Sequence, residues 1–259
     1  MYKWLLVLIW GIISFKVNAI IVYDGKINFD PTINGLCFNN AKFNSNHPLA
    51  MIANKYGACN GMSSITEFFY NNAIFDCTKP KSDSFDYEST IKDIVALGNN
   101  QCDKKIIIPG YCNLKKFCND YNNYFSTESI RLNANHTLFG QDSDLNFILK
   151  TKTTNEQSTF SQNIETLYNI YNNIKEKKPT RILYYQKGFG GHVVLIYGLT
   201  IYLDKNNERT YYLHAWDPNF PDDETIINMK LDSSTYFYSH SNNIQTHNQK
   251  NYCENNLFF

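Results

Sequence analysis

The chain has 259 residues, with 24 acidic and 24 basic side chains and a formal net charge of zero. That balance, with no long charge run, argues against the basic footprint of a nucleic-acid-binding protein. The length is enough for one large domain or two closely packed lobes.

The N-terminus reads as a secretory signal peptide over residues 1–19. Lys3 gives a positive start, residues 4–15 are almost all apolar, and Val17-Asn18-Ala19 offers the small residues that a signal peptidase reads. The apolar run is short for a membrane span, an uncleaved N-terminal anchor being the alternative, and no second stretch is long enough to cross a bilayer. Residues 20–259 then form a single domain of two lobes, secreted to the extracellular space, or to the periplasm if retained there.

Residues 20–29 read as extended chain, and residues 30–48, with Pro31, Gly35 and Pro48, as loop. The pairs Asn39-Asn40, Asn71-Asn72 and Asn122-Asn123 suit loops or helix ends. From Cys59, the residues Met62, Ile65 and Phe69 recur at helical spacing, and the helix ends near Asn71-Asn72. A second helix is predicted over residues 87–97, with Ile91, Ile94 and Val95 inward and Gly98 as its stop. Residues 105–109, containing Ile106-Ile107-Ile108, read as a buried strand. A third helix covers residues 158–177, with Ile164, Leu167, Ile170, Tyr171 and Ile174 on one side.

Strand-like runs follow at residues 181–186, 192–203, 211–216, 224–231 and 235–239. The polar turn at residues 204–208 makes the second and third of these an antiparallel hairpin. The expected class is α+β, a helical N-terminal lobe packed on an antiparallel β lobe, with a site in the cleft between them.

Seven cysteines in an exported protein should be mostly oxidised, and the odd count leaves at least one thiol in a monomer. Cys59 is the candidate for that thiol. Cys112 and Cys118, close in sequence, are expected to form a local bridge. Asn135-His136-Thr137 is a glycosylation sequon in a eukaryotic secretory pathway.

Three residues carry the chemistry. Cys59 sits between small residues in Gly57-Ala58-Cys59-Asn60-Gly61, where a helix starts, and the backbone N–H groups there favour a thiolate. Gly57 and Gly61 would keep the backbone open around the sulfur. His192 follows Gly190-Gly191 and opens a buried strand, where it can serve as the base. Asp217, in Trp216-Asp217-Pro218-Asn219, closes the neighbouring strand and can orient the imidazole. Asn219 is the alternative third member. The bland readings are a structural cysteine, a packing histidine and a turn aspartate. His214 shares a strand face with Trp216 and reads as packing or cleft wall.

The segments GACNGMSS and KPTRILYYQKGFGGHVVLIYGL to YYLHAWDPNFP, in that order, resemble the papain-like cysteine peptidase clan. The second segment is similar to bacterial members, the bacteriocin-leader peptidases and related domains. The resemblance covers residues 56–69 and 178–221. It implies a papain-like fold in which Cys59 is the nucleophile, His192 the general base and Asp217 the orienting acid, acting on peptide or isopeptide bonds.

Papain-like enzymes also place a glutamine shortly before the cysteine as an oxyanion donor. This chain has no glutamine before Gln101. Asn54 is the nearest upstream amide, with Asn39 and Asn40 as alternatives. The expected activity is therefore that of a secreted thiol hydrolase on a peptide or protein substrate. The alternatives are an amidase or transglutaminase-like acyl transferase, or a binding protein on a degraded papain fold. No cofactor or metal is expected: no zinc-ligand spacing is present, and Gly188 to Gly191 leads into a strand rather than a phosphate-binding helix.

Overall fold

The computed structural model describes residues 19–40, 58–138, 156–186, 190–229, 231 and 235–239. The chain enters as strand β1 (Ile20–Lys26) and makes one helical turn, α1 (Pro31–Asn34). That turn lies in the stretch expected to be loop. Asp30 caps it by accepting from the Thr32 N–H, and Pro31 stands at its first position, where a missing N–H costs nothing.

Helix α2 (Cys59–Asn72) leads directly into the short strand β2 (Ala73–Asp76). Helix α3 (Tyr87–Asn99), strand β3 (Ile106–Pro109), and helices α4 (Leu114–Asp120) and α5 (Asn122–Leu138) complete the first half. Helix α6 (Glu156–Lys175) precedes five strands: β4 (Thr180–Gln186), β5 (Gly190–Leu203), β6 (Arg209–Trp216), β7 (Glu224–Met229) and β8 (Thr235–Ser239).

The main sheet runs β7-β6-β5-β4-β8 and is antiparallel throughout. The long strand β5 carries two partners end to end on one edge: β4 pairs residues 190–196, and β1 pairs residues 198–203. The first strand of the chain therefore belongs to the C-terminal sheet. A two-stranded parallel sheet, β2-β3, lies in the helical half. The class is α+β, as expected. One continuous buried cluster runs from Phe69, Phe117 and Phe125 in the helices to Ile196, Leu213 and Trp216 in the sheet. Among the described residues, no helix is long and apolar enough to cross a membrane.

Several local expectations change. Gly98 does not stop α3, which runs on to Asn99. Its glycine is required by packing, since a Cβ there would lie 2.1 Å from Cγ of Phe68 on α2. The chain turns instead at Gln101, whose φ is 53°. Of the β3 isoleucines only Ile108 is buried, and Ile107 is 49% exposed. Asn122 stands at the start of α5, one of the two placements expected of its asparagine pair.

On α6 the inward face holds Asn163, Thr166, Ile170, Asn173 and Ile174, while Ile164 faces solvent. Polar residues turn inward because they bind the sheet. Asn163 Oδ1 accepts the Phe237 N–H (2.9 Å), Thr166 Oγ1 donates to the Phe237 carbonyl (3.0 Å), and Asn173 Nδ2 donates to Thr180 Oγ1 (2.9 Å). Helices α4 and α5 escaped the reading because serines such as Ser126 and Ser129 interrupt α5's apolar periodicity while being fully buried.

The disulfides are Cys37–Cys118 and Cys77–Cys112, not Cys112–Cys118. Helix α4 begins between the last two and carries Cys118 into the core, while Cys112 stays beside the β2-β3 end. Cys102 is also disulfide-bonded, and Cys59 is the free thiol among the described residues. Cys253 and residues 1–18 of the expected 1–19 signal peptide lie outside the described residues.

Candidate active site

Cys59 is the first residue of α2. The cap position is Ala58, which supplies no capping side chain, so the positive pole of the helix is left for the thiol. The helix is fixed by its far side. Arg181 of β4 reaches it through Nη1 to Ser64 Oγ (2.6 Å) and Asn60 Oδ1 (3.2 Å), and through Nε to the Glu67 carboxylate. Gly61 is not there to open space around the sulfur. A Cβ at Gly61 would lie 1.8 Å from the Ser129 carbonyl of α5, so the glycine permits two helices to touch. Gly57 lies outside the described residues.

His192 and Asp217 are brought together by strand register. Leu195 of β5 faces Trp216 of β6, so one step further Asp217 comes level with Val194, and His192 is the next residue on that face. His192 Nε2 lies 2.8 Å from Asp217 Oδ1. The Cys59 side chain also interacts with this imidazole. Burial disfavours the imidazolium, but the hydrogen bonds to Asp217 and Cys59 outweigh it and push the imidazole up to about 10. The three sequence-predicted residues therefore meet in one cluster.

Asn219, the alternative third member, also reaches the ring. Its Nδ2 is 3.2 Å from His192 Nε2, and its backbone N–H donates to Asp217 Oδ1 (2.8 Å). Asn40, one of the amides considered for the oxyanion hole, has folded back to the site and is 9% exposed. Its backbone N–H donates to the Pro218 carbonyl (2.8 Å), its Oδ1 accepts the Ala58 N–H, and its Nδ2 donates to Asn219 Oδ1 (3.1 Å). Asn54 lies outside the described residues.

Two neighbours were not anticipated. Tyr184 pairs with His192 across β4 and β5 and stands edge-on to its ring, 5.6 Å between centroids. Burial, then electrostatic interaction with Asp217 and Cys59, pushes its phenol up to about 12. The signal available in the sequence was its place in the strand before the glycines, but only the register identifies the partner. Trp216 is fully buried and donates from Nε1 to the Pro221 carbonyl (3.0 Å), which anchors the turn that follows Asp217.

His214 lies apart from this cluster, as the packing reading expected. It is buried, with Nδ1 2.9 Å from Glu224 Oε1 and Nε2 2.9 Å from Thr200 Oγ1. Among the described residues no group of His, Cys, Asp and Glu could hold a metal ion.

A family model described as a domain of unknown function, DUF8321, matches residues 59–128. The match begins at Cys59 and covers α2, β2, α3, β3, α4 and part of α5. It stops short of the strands that bear His192 and Asp217. No curated protein and no solved structure matches the chain.

Proposed function

We propose that the protein is a papain-like thiol hydrolase that cleaves peptide or isopeptide bonds. The observation that carries this reading is the single cluster of a free thiol at a helix start, an imidazole that interacts with it, and a carboxylate on Nε2 of that ring. A cysteine helix packed against an antiparallel sheet whose adjacent strands supply histidine and acid fits the papain-like arrangement.

In this reading His192 and Cys59 rest as an imidazolium–thiolate pair. The raised imidazole and the helix N-terminus both favour it. The thiolate attacks the carbonyl carbon, and the Cys59 backbone N–H at the helix start faces the developing oxyanion. His192 gives its Nδ1 proton to the leaving amine, and an acyl-enzyme forms. The imidazole then takes a proton from water, the hydroxide releases the acid, and the pair is restored. Asp217 keeps the ring in place and holds the Nε2 proton throughout.

The disulfides Cys37–Cys118 and Cys77–Cys112 suit an oxidising compartment, and the proposed protein is secreted after removal of residues 1–19. Labelling the intact chain with a thiol-reactive epoxide, followed by peptide mapping, tests the reading. Modification should fall on Cys59 and depend on His192. A Cys59 that labels no faster than a small-molecule thiol, or equally well in His192→Ala, removes the enzyme reading.

A further inference from the structure

We infer that Asn40 is a positioning residue that selects which side chain accepts the His192 ring proton, by fixing the amide of Asn219 the wrong way round for that task. The inference deepens the thiol-hydrolase reading and rests on it for its reactivity readout.

The Ala58 backbone N–H can only donate, and it points at the side-chain amide of Asn40. That end of Asn40 is therefore its oxygen. The other end, Nδ2, then meets Asn219 at 3.1 Å, so Asn219 must present its oxygen to Asn40. Asn219 is left with its NH2 toward His192 Nε2, at 3.2 Å.

A ring N–H cannot donate to an NH2 group. Asp217 Oδ1, 2.8 Å from the same nitrogen, is the acceptor that remains. The backbone holds this arrangement in place as well. The Asn40 N–H binds the Pro218 carbonyl, and the Asn219 N–H binds Asp217 Oδ1. One buried amide thus ties the residue before the nucleophile to the turn that carries the acid, and passes donor–acceptor polarity from one to the other.

The inference predicts that the polarity can be reversed. In Asn40→Asp the carboxylate still accepts the Ala58 N–H, but its second oxygen is now an acceptor as well. Asn219 should turn over, donate to residue 40, and offer Oδ1 to the imidazole. Asn219 could then replace Asp217.

The test uses the full chain and iodoacetamide, with the rate of Cys59 alkylation followed against pH. Asp217→Ala should lower the rate at pH 6 by about tenfold or more, the scale of one hydrogen bond lost from a charged ring. Asn40→Asp combined with Asp217→Ala should recover about threefold or more of that loss. Adding Asn219→Ala should abolish the recovery. No recovery in the double variant overturns the inference. So does recovery that survives loss of Asn219, because the new charge alone would then be acting.

A measurement on the wild type needs no variant to fold. In NMR, the Asn219 side-chain NH2 protons should lie next to the His192 ring protons, and contact with the Asn40 carboxamide carbonyl side instead would overturn the assignment. This second readout separates the two readings. If His192→Ala leaves alkylation unchanged, the hydrolase reading fails, while the amide orientation is still decided.

Discussion

Two histidines on adjacent strands of one sheet each meet a carboxylate at hydrogen-bond distance, yet they are built for different work. His192 gives Nε2 to Asp217, at 2.8 Å, and its ring also interacts with the Cys59 side chain. His214 has both nitrogens occupied, by Glu224 and Thr200.

The partners of His214 are themselves closed. Thr200 donates to Asp24 of β1 (2.7 Å). Glu224 Oε1 also accepts from Tyr197 (2.8 Å) and Lys26 (3.1 Å). Against the opposing effect of burial, hydrogen bonds from Tyr197, Lys26 and His214 hold the Glu224 carboxyl below its usual range. That network fastens β1, β5, β6 and β7 together. The two pairs differ in their further partner, which is the Cys59 side chain for His192 and Thr200 for His214.

The sharpest break of this comparison is to delete each imidazole in turn. His192→Ala should lower Cys59 alkylation at pH 6 on the order of 100-fold, because an unassisted thiol is almost wholly protonated there. His214→Ala should leave the alkylation rate near that of the wild type. Equal losses from both deletions would erase the distinction between the two sites.

Stability should separate them in the opposite sense. His214→Ala leaves buried Thr200 and the partly exposed Glu224 each short of a partner and should destabilise the fold by about 1–3 kcal/mol, measured by denaturant unfolding. Under the proposed function, Asp217→Ala should lower turnover while leaving substrate affinity largely intact. If Asp217→Ala retains full activity and Asn219→Ala does not, the third role passes to Asn219.

A further break of the comparison concerns pH. The His192 imidazole is raised to about 10 in the fold, above its unfolded value of about 6.5. Its contribution to stability is therefore fully present below about pH 6.5 and declines as pH rises through about 10. Cys59→Ala removes a group that helps to raise the His192 imidazole, and NMR titration should show that imidazole shifted downward. An unchanged titration would mean that the sulfur does not face the ring.

Much of this was legible in the chain. The β half reads well because its strands are long apolar runs separated by polar turns, and β5 and β6 flank one such turn. Cys59, His192 and Asp217 were legible because each sits at an element boundary marked by small residues, glycines or proline. The helical half reads less well. Buried serines and asparagines replace apolar residues at its contacts, as at Ser126, Ser129 and Asn163, so hydrophobic periodicity underreports what is inside.

The sequence by itself determined the strands of the β half, the helices that start at Cys59, Tyr87 and near Ser158, the hairpin that puts histidine and acid on neighbouring strands, and the odd cysteine count. Tertiary structure alone decided the rest. The bridge from Cys118 goes to Cys37, because a helix turns Cys118 away from its near neighbour Cys112. Asn40 reaches a turn 179 positions away along the chain, and Tyr184 meets His192 through register. Local pattern specifies which way a residue faces along its own element. Which group it then meets depends on how separate elements pack, and that information is spread over the whole core rather than written beside the residue.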